Sequence, residues 1–229
     1  MKVKLCGMMT EEDVSFCVCA GADALGFVVE YPAEVPWNLS VSDAARLMAA
    51  VPQEVMTVLV TGGTSDHIID LATRLRPDAV QLHHKESLSD VAAISAALKP
   101  LGICVIKALG IRETGQAMFE ISDPVQAADA LQAGGLDALL IDACTAEAGG
   151  GTGTCVDRKL YAQIQAHTGL PVIVAGGLTA GNLQSILSDI PAPDMVDVLS
   201  GVERTPGRKD YEKVLAFLHA AKTGQEDKT

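Results

Sequence analysis

Polar side chains that could move protons fall where short apolar runs of this chain end. Cys6 closes the run Val3–Cys6 and precedes Gly7, Asp142 closes Ala138–Asp142, and Lys107 lies late in Ile103–Ala108. Gln81 and His83 end a fourth run, and Asp197 follows Met195 in the eighth. Side chains alternate along a strand, so parity assigns each to a face. Lys4 and Cys6 share one face, with the apolar pair Val3 and Leu5 on the other. Gln81 pairs with His83 in the same way, and Leu140 with Asp142. A thiol serves as a base only as its thiolate. A carboxyl group held away from water is costly unless it is paired or used. Together the two types could supply the base and acid of one proton-transfer reaction. The competing readings are a structural ion pair, Asp142 with Lys107, and simple packing for Cys6.

Three glycine clusters follow later runs: Gly149-Gly150-Gly151-Thr152-Gly153, Ala175-Gly176-Gly177 and Ser200-Gly201-Val202-Glu203. Without Cβ atoms, backbone N–H groups can approach an oxyanion and form a nest, aided by a helix N-terminus. The competing reading is tight turns alone. Three clusters at successive strand ends point to a phosphate held by Gly153, Gly176, Gly177, Ser200 and Gly201. A local device of this kind is needed, because the chain has a formal net charge of −12 and offers no bulk attraction for anions.

The elements that would position these groups alternate. Apolar runs at Val3–Cys6, Ala24–Val29, Val55–Val60, Ala79–Leu82, Ile103–Ala108, Ala138–Asp142, Val172–Ala175 and Met195–Leu199 read as strands. Helical patterns lie between and after them, at Glu11–Ala20, Val41–Val51, Asp66–Leu75, Leu88–Leu98, Pro124–Ala133, Arg158–Thr168, Ala180–Ile190 and Asp210–Ala221. Thr10 with Asp13 and Ser40 with Asp43 mark helix starts, and Gly21, Gly134 and Gly169 mark stops. Strict alternation implies parallel strands with helical crossovers. Eight units without a composition break predict one (β/α)8 TIM barrel over residues 1–222, with a polar tail at 223–229. An open doubly wound sheet is the second choice, and no switch point marks one.

Composition narrows the function class. The chain is 48% hydrophobic and only 3% aromatic, which excludes disorder and disfavours a base-stacking surface. Its acidic charge gives no pull toward nucleic acid or anionic membrane. No stretch of about 18 apolar residues suggests a membrane span. Six cysteines without a CxxC pair read as reduced thiols in a cytoplasmic protein.

The motif set resembles the phosphoribosylanthranilate isomerase family of tryptophan biosynthesis. The matching stretches are Lys4-Leu5-Cys6-Gly7, Glu12-Asp13, Gly21-Ala22-Asp23-Ala24-Leu25-Gly26-Phe27, Val80-Gln81-Leu82-His83, Ile106-Lys107-Ala108 and Leu140-Ile141-Asp142. They continue through Gly150-Gly151-Thr152-Gly153, Ala175-Gly176-Gly177-Leu178 with Asn182, and Val196-Asp197-Val198 running into Ser200-Gly201-Val202-Glu203, with Gly207 and Lys209-Asp210 at the end. The resemblance implies a barrel with neither cofactor nor metal, acting on a phosphorylated sugar-amine; monomer and homodimer are both left open by the sequence. It implies an Amadori rearrangement, with Cys6 as general base and Asp142 as general acid. Lys4, Gln81, His83, Lys107, Asp197 and Arg112 would line the rest of the substrate pocket.

One departure stands out. The family carries an Arg in the loop after the second strand that pairs with the anthranilate carboxylate. Here Glu30 to Ser40 contains neither Arg nor Lys and offers Glu34 instead. Arg112 or Arg158 could supply the cation, or the substrate could be another phosphoribosylated amine. An aldolase or epimerase using Lys107 as a Schiff base, and a non-catalytic phosphate binder, complete the alternatives.

Overall fold

A computed structural model describes residues 1–142 and 158–223 of the chain. The eight main strands are β1 (Lys2–Cys6), β2 (Ala24–Val28), β3 (Met56–Thr61), β4 (Ala79–Leu82), β5 (Cys104–Gly110), β6 (Ala138–Asp142), β7 (Val172–Ala175) and β8 (Met195–Val198). They close into a parallel barrel in chain order, β1 pairing with both β2 and β8. The helices are α1 (Glu11–Cys19), α2 (Val41–Met48), α3 (Ser65–Leu75), α4 (Leu88–Leu98), α5 (Pro124–Ala133), α6 (Arg158–His167), α7 (Leu183–Asp189) and α8 (Tyr211–Thr223). This is the TIM barrel that the alternating pattern predicts. No helix among the described residues is long and apolar enough to cross a membrane. The 1–222 boundary falls one residue short of the last described helical residue, and 224–229 lie outside the described residues.

Local chemistry explains the helix starts. The side chain of Thr10 accepts from the Asp13 N–H at 3.0 Å, and Ser40 accepts from Asp43 at 3.1 Å. Ser87 and Asp90 form a reciprocal capping box, and Asp123 caps α5 with Pro124 in its first turn. Each such cap contributes about 1 kcal/mol. Gly134 stays in the right-handed helical region, and Gly135, at φ +90°, takes the left-handed position that ends α5.

Alternation sorts side chains into two layers. Val3, Leu5, Phe27, Leu59, Val105 and their neighbours face the helices in one continuous core. Cys6, Ala24, Val28, Val58, Val60, Ala79, Ile106, Leu140, Ile173, Ala175 and Met195 fill the barrel itself. The small interior residues leave room for Cys6. A Cβ on Gly26 would lie 2.6 Å from the Cys6 sulfur, so Gly26 is required by its neighbour rather than by a turn.

Three expectations need correction. Lys107 does not face the mouth. It stands between interior Ile106 and Ala108 and in register with outward Leu82 and Leu139. Its ammonium group lies 2.8 Å from buried Glu86, donates to the His84 carbonyl at 3.0 Å, and thereby ties down the loop after β4. Burial outweighs Glu86 and holds the Lys107 pKa below its ordinary value. The Asp142–Lys107 ion pair is therefore absent, because parity separates the two groups. Second, α7 begins three residues later than the periodicity suggests. Thr179 and Asn182 exchange hydrogen bonds, Asn182 also donates to the Gly177 carbonyl, and the turn displaces the first helical residue to Leu183. Third, β8 is followed by an antiparallel hairpin, β9 (Glu203–Thr205) with β10 (Arg208–Lys209), that no periodic pattern announces.

Candidate active site

The carboxyl ends of the strands carry the polar groups, as parity requires. Cys6 and Asp142 both face inward at the last residues of β1 and β6. In the closed order β1 and β6 are separated by β8 and β7, so the two groups stand on different sides of the mouth. Cys6 is buried and Asp142 is partly exposed, its side chain keeping 21% of its surface accessible. The thiol is thus sheltered, while the carboxyl opens to whatever enters the mouth.

Cys6 sits among charges. Lys4, one interior position below it, lies 2.7 Å from the carboxylate of Asp197 on β8, and both are buried. Lys209 approaches from the hairpin and donates to the Cys6 carbonyl at 2.6 Å. Burial pushes the Cys6 thiol above its ordinary pKa, and Asp197 adds to this. Lys4 and Lys209 oppose both by favouring the thiolate. Burial likewise disfavours the Lys4 cation, but Asp197 and Cys6 outweigh it, and Lys4 titrates above its usual range. Lys4 therefore stays charged beside the thiol. The second Asp197 oxygen is buried with no hydrogen-bond partner among the described residues. An unpaired buried oxygen of this kind costs about 1–3 kcal/mol unless a bound hydroxyl satisfies it.

Asp142 belongs to a second group. His83 Nε2 lies 3.5 Å from an Asp142 carboxylate oxygen, and the opposite ring nitrogen, Nδ1, lies 2.9 Å from the Gln81 amide nitrogen. With the amide donating to Nδ1, the ring hydrogen is on Nε2 and faces Asp142. The Gln81 oxygen is buried without a partner among the described residues. The base of this group is rigid, because the Tyr31 hydroxyl donates to the His83 carbonyl at 2.8 Å and Lys107 holds the adjoining His84 carbonyl.

A cavity of about 580 Å³ opens beside the mouth, lined by Gly177 to Asn182, Ser200, Gly201, Lys213 and Ala216. Gly177 and Gly176 have φ of +60° and +92°, the left-handed region that favours glycine. Gly201 has no space for a side chain, since a Cβ there would come 1.8 Å from the Leu178 carbonyl oxygen. The loops after β7 and β8 thus approach closely only because both carry glycine. Lys213, in the first turn of α8, lines the same cavity and donates to the Glu203 carbonyl at 2.7 Å. Sequence reasoning missed it. Its signal was a cation in the first turn of the last helix, three residues after Asp210, whose carboxylate accepts from the Lys213 N–H. A ring of backbone and one ammonium group suits a small oxyanion. Gly201→Ala should weaken inorganic phosphate binding, read by calorimetry, at least about tenfold, since the nest cannot form with its two loops forced apart. Unchanged affinity would separate phosphate from this cavity.

The other sequence-selected residues are placed as follows. Gly153 lies outside the described residues. Arg112 is exposed in the loop after β5, and Arg158 is an exposed partner of Asp189 at 3.8 Å. Neither belongs to the interior cluster. Tyr31, Val35 and Trp37, from the loop after β2, pack on that cluster instead. No group of three or more metal-ligating side chains occurs among the described residues.

Comparison with known proteins bears on this geometry. Residues 3–220 match the family model described as N-(5'-phosphoribosyl)anthranilate isomerase. The chain is 39% identical over 224 residues to the N-(5'-phosphoribosyl)anthranilate isomerase of Halobacterium salinarum, covering 96% of this chain and 95% of that one. Its fold is similar to the crystal structure of phosphoribosyl anthranilate isomerase from Thermotoga maritima, with TM-score 0.81, 32% identity, and 97% and 99% of the two chains covered. A further structure, of an isomerase in complex with reduced 1-(o-carboxyphenylamino)-1-deoxyribulose 5-phosphate, matches with TM-score 0.78 and 30% identity over 97% of this chain and 99% of that one.

Proposed function

The chain belongs to the N-(5'-phosphoribosyl)anthranilate isomerase family, and from that premise we propose that it converts N-(5-phosphoribosyl)anthranilate to 1-(2-carboxyphenylamino)-1-deoxyribulose 5-phosphate, with Asp142 as general acid and Cys6 as general base. The observation that carries the residue assignment is the inward placement of a thiol and a carboxyl group on different sides of one barrel mouth, next to a glycine-lined cavity.

The chemistry uses each group once. Asp142 gives a proton to the furanose ring oxygen, the C1'–O bond breaks, and the nitrogen lone pair forms an iminium. Cys6, as thiolate, takes the proton from C2', and the electrons move to give an enolamine. A proton then returns from the Cys6 thiol to C1' and the C2' hydroxyl proton passes back to Asp142, which gives the ketone, restores both groups and balances atoms and charge without a cofactor. Phosphate fits the cavity of Gly177, Ser200, Gly201 and Lys213; Gly176 is not among its lining residues. Gly153 would belong to the same nest by its motif alone. The unpartnered Asp197 oxygen is suited to accept from a sugar hydroxyl. Lys4 pairs with Asp197 and favours the thiolate. His83, held by Gln81, orients Asp142.

The relatives reported above favour this reading over another phosphoribosylated amine. Lys107, buried outside the barrel, has no access for a Schiff base. The cytoplasmic location expected from the cysteines is part of the same reading, and all four described cysteines are free. Purified protein should consume N-(5-phosphoribosyl)anthranilate with loss of anthranilate-type fluorescence, and should restore growth without tryptophan to a strain lacking this isomerase. Failure of both would end the assignment.

A further inference from the structure

Glu203, Gly207 and Lys209 are motif residues with no part in the acid–base pair or the phosphate cavity, yet they meet in one buried cluster. The side chains of Glu203 and Lys209 are 3% and 0% exposed. One Glu203 oxygen accepts from the Trp37 indole N–H at 2.7 Å, from the Gly207 N–H at 3.2 Å and from the Lys209 ammonium at 3.4 Å. That ammonium also donates to the Cys6 carbonyl at 2.6 Å. The continuous path runs from indole to carboxylate to ammonium to the backbone of Cys6. Removing two charges from water is expensive, and a pair kept only for stability could be replaced by apolar side chains. Here each member instead holds a different segment beside the thiol.

Both segments need holding. The register of β1 with β8 stops at Leu5, so on that side Cys6 lies past the ladder and takes its donor from the hairpin. Trp37 belongs to the loop Glu30–Leu39, whose limbs are joined by Tyr31 and Asn38 exchanging hydrogen bonds. Its ring packs on the interior cluster beside Cys6 and crowds Gly7, where a Cβ would come 3.0 Å from Trp37 Cδ1 and 3.3 Å from Leu199 Cγ. A residue larger than glycine after the thiol would displace the indole.

We propose that the Glu203–Lys209 pair is a positioning device for this reaction: it fixes the backbone of Cys6 and clamps Trp37 against Gly7, so that the indole forms the wall of the mouth on which the aromatic half of the substrate rests. The proposal rests on the reading of Cys6 as base. It assigns recognition of the substrate's ring to a flat apolar surface in a loop that has no cation. It also gives Lys209 a second effect, since its charge, with Lys4, counters the burial and the Asp197 carboxylate that both disfavour the thiolate.

The test uses three proteins alongside Cys6→Ala. Trp37→Phe keeps an aromatic ring but removes the indole donor and part of the flat face. It should melt near the wild-type temperature, raise KM about tenfold with kcat little changed, and leave inorganic phosphate affinity intact. The double variant Glu203→Gln with Lys209→Met removes both charges at similar volume. It should lower kcat at least about tenfold and move the thiol limb of the kcat/KM–pH profile to higher pH. Glu203→Gln alone should shift the emission of Trp37, the chain's single tryptophan, whether or not catalysis changes. Wild-type KM in Trp37→Phe, or an unmoved emission in Glu203→Gln, overturns the clamp. A folded double variant with wild-type kcat and pH profile overturns the positioning of Cys6. Turnover by Cys6→Ala would instead refute the underlying base assignment, which keeps the two failures distinct.

Discussion

Cys6→Ala should lower kcat by about 10²–10⁴, the usual contribution of a positioned general base, while the affinity for reduced 1-(o-carboxyphenylamino)-1-deoxyribulose 5-phosphate stays within a few-fold of wild type. The thiol is small and lies among Ala24, Gly26 and Val28, so its loss leaves only a small void beside the mouth. The backbone carbonyl that Lys209 holds is unchanged by the substitution. Binding and folding should therefore survive, and the loss should appear in the chemical step. Cys6→Ser should be nearly as inactive, because a hydroxyl in the same buried place reaches its anion far less readily than a thiol. The pH dependence follows from the raised thiol pKa. Below that pKa each unit of pH multiplies the thiolate fraction about tenfold, so kcat/KM of the wild type should rise with pH on this limb. The rise ends where the acid partner loses its own proton. Lys4→Met should move the thiol limb further upward, since it removes a cation that stabilises the thiolate. Wild-type kcat in Cys6→Ala, measured as fluorescence loss, would remove Cys6 from the mechanism.

The fold was legible because its two signals are strong and mutually consistent. Apolar runs of four to six residues between amphipathic stretches leave little besides a parallel barrel, and capping residues such as Thr10 and Ser40 mark helix starts. Within a strand, parity groups Lys4 with Cys6 and Leu140 with Asp142, and Cys6 and Leu140 do belong to the interior layer. It was not applied to Lys107. There a charged residue late in a strand suggested the mouth, whereas counting from interior Ile106 puts it among the helices, neutralised by Glu86. The cluster of Trp37, Glu203 and Lys209 was invisible for a different reason. Its members are 166 and 6 residues apart along the chain, and their meeting depends on how the loop after β2 folds over the hairpin after β8. No local period encodes such a contact, although the motif stretch that contains Glu203 and Lys209 was in plain view.

Asp142→Asn should cost about 10²–10⁴ in kcat, but by stopping a different step from the one Cys6 serves. An amide at position 142 still offers an oxygen to His83 Nε2–H, so the Gln81–His83 support and the shape of the mouth persist. What disappears is the proton that the ring oxygen must receive before the C1'–O bond can break. The two variants then differ in a measurable way beyond their size. With deuterium at C2' of the substrate, residual turnover by Cys6→Ser should show the full primary isotope effect, because removal of that hydrogen limits the rate. Residual turnover by Asp142→Asn should show an isotope effect near one, since ring opening now precedes and limits everything downstream. A large C2' effect in Asp142→Asn would mean that ring opening does not need this carboxyl group. The acid would then have to be another group of the mouth, and His83, already 3.5 Å from Asp142, is the one the geometry supplies.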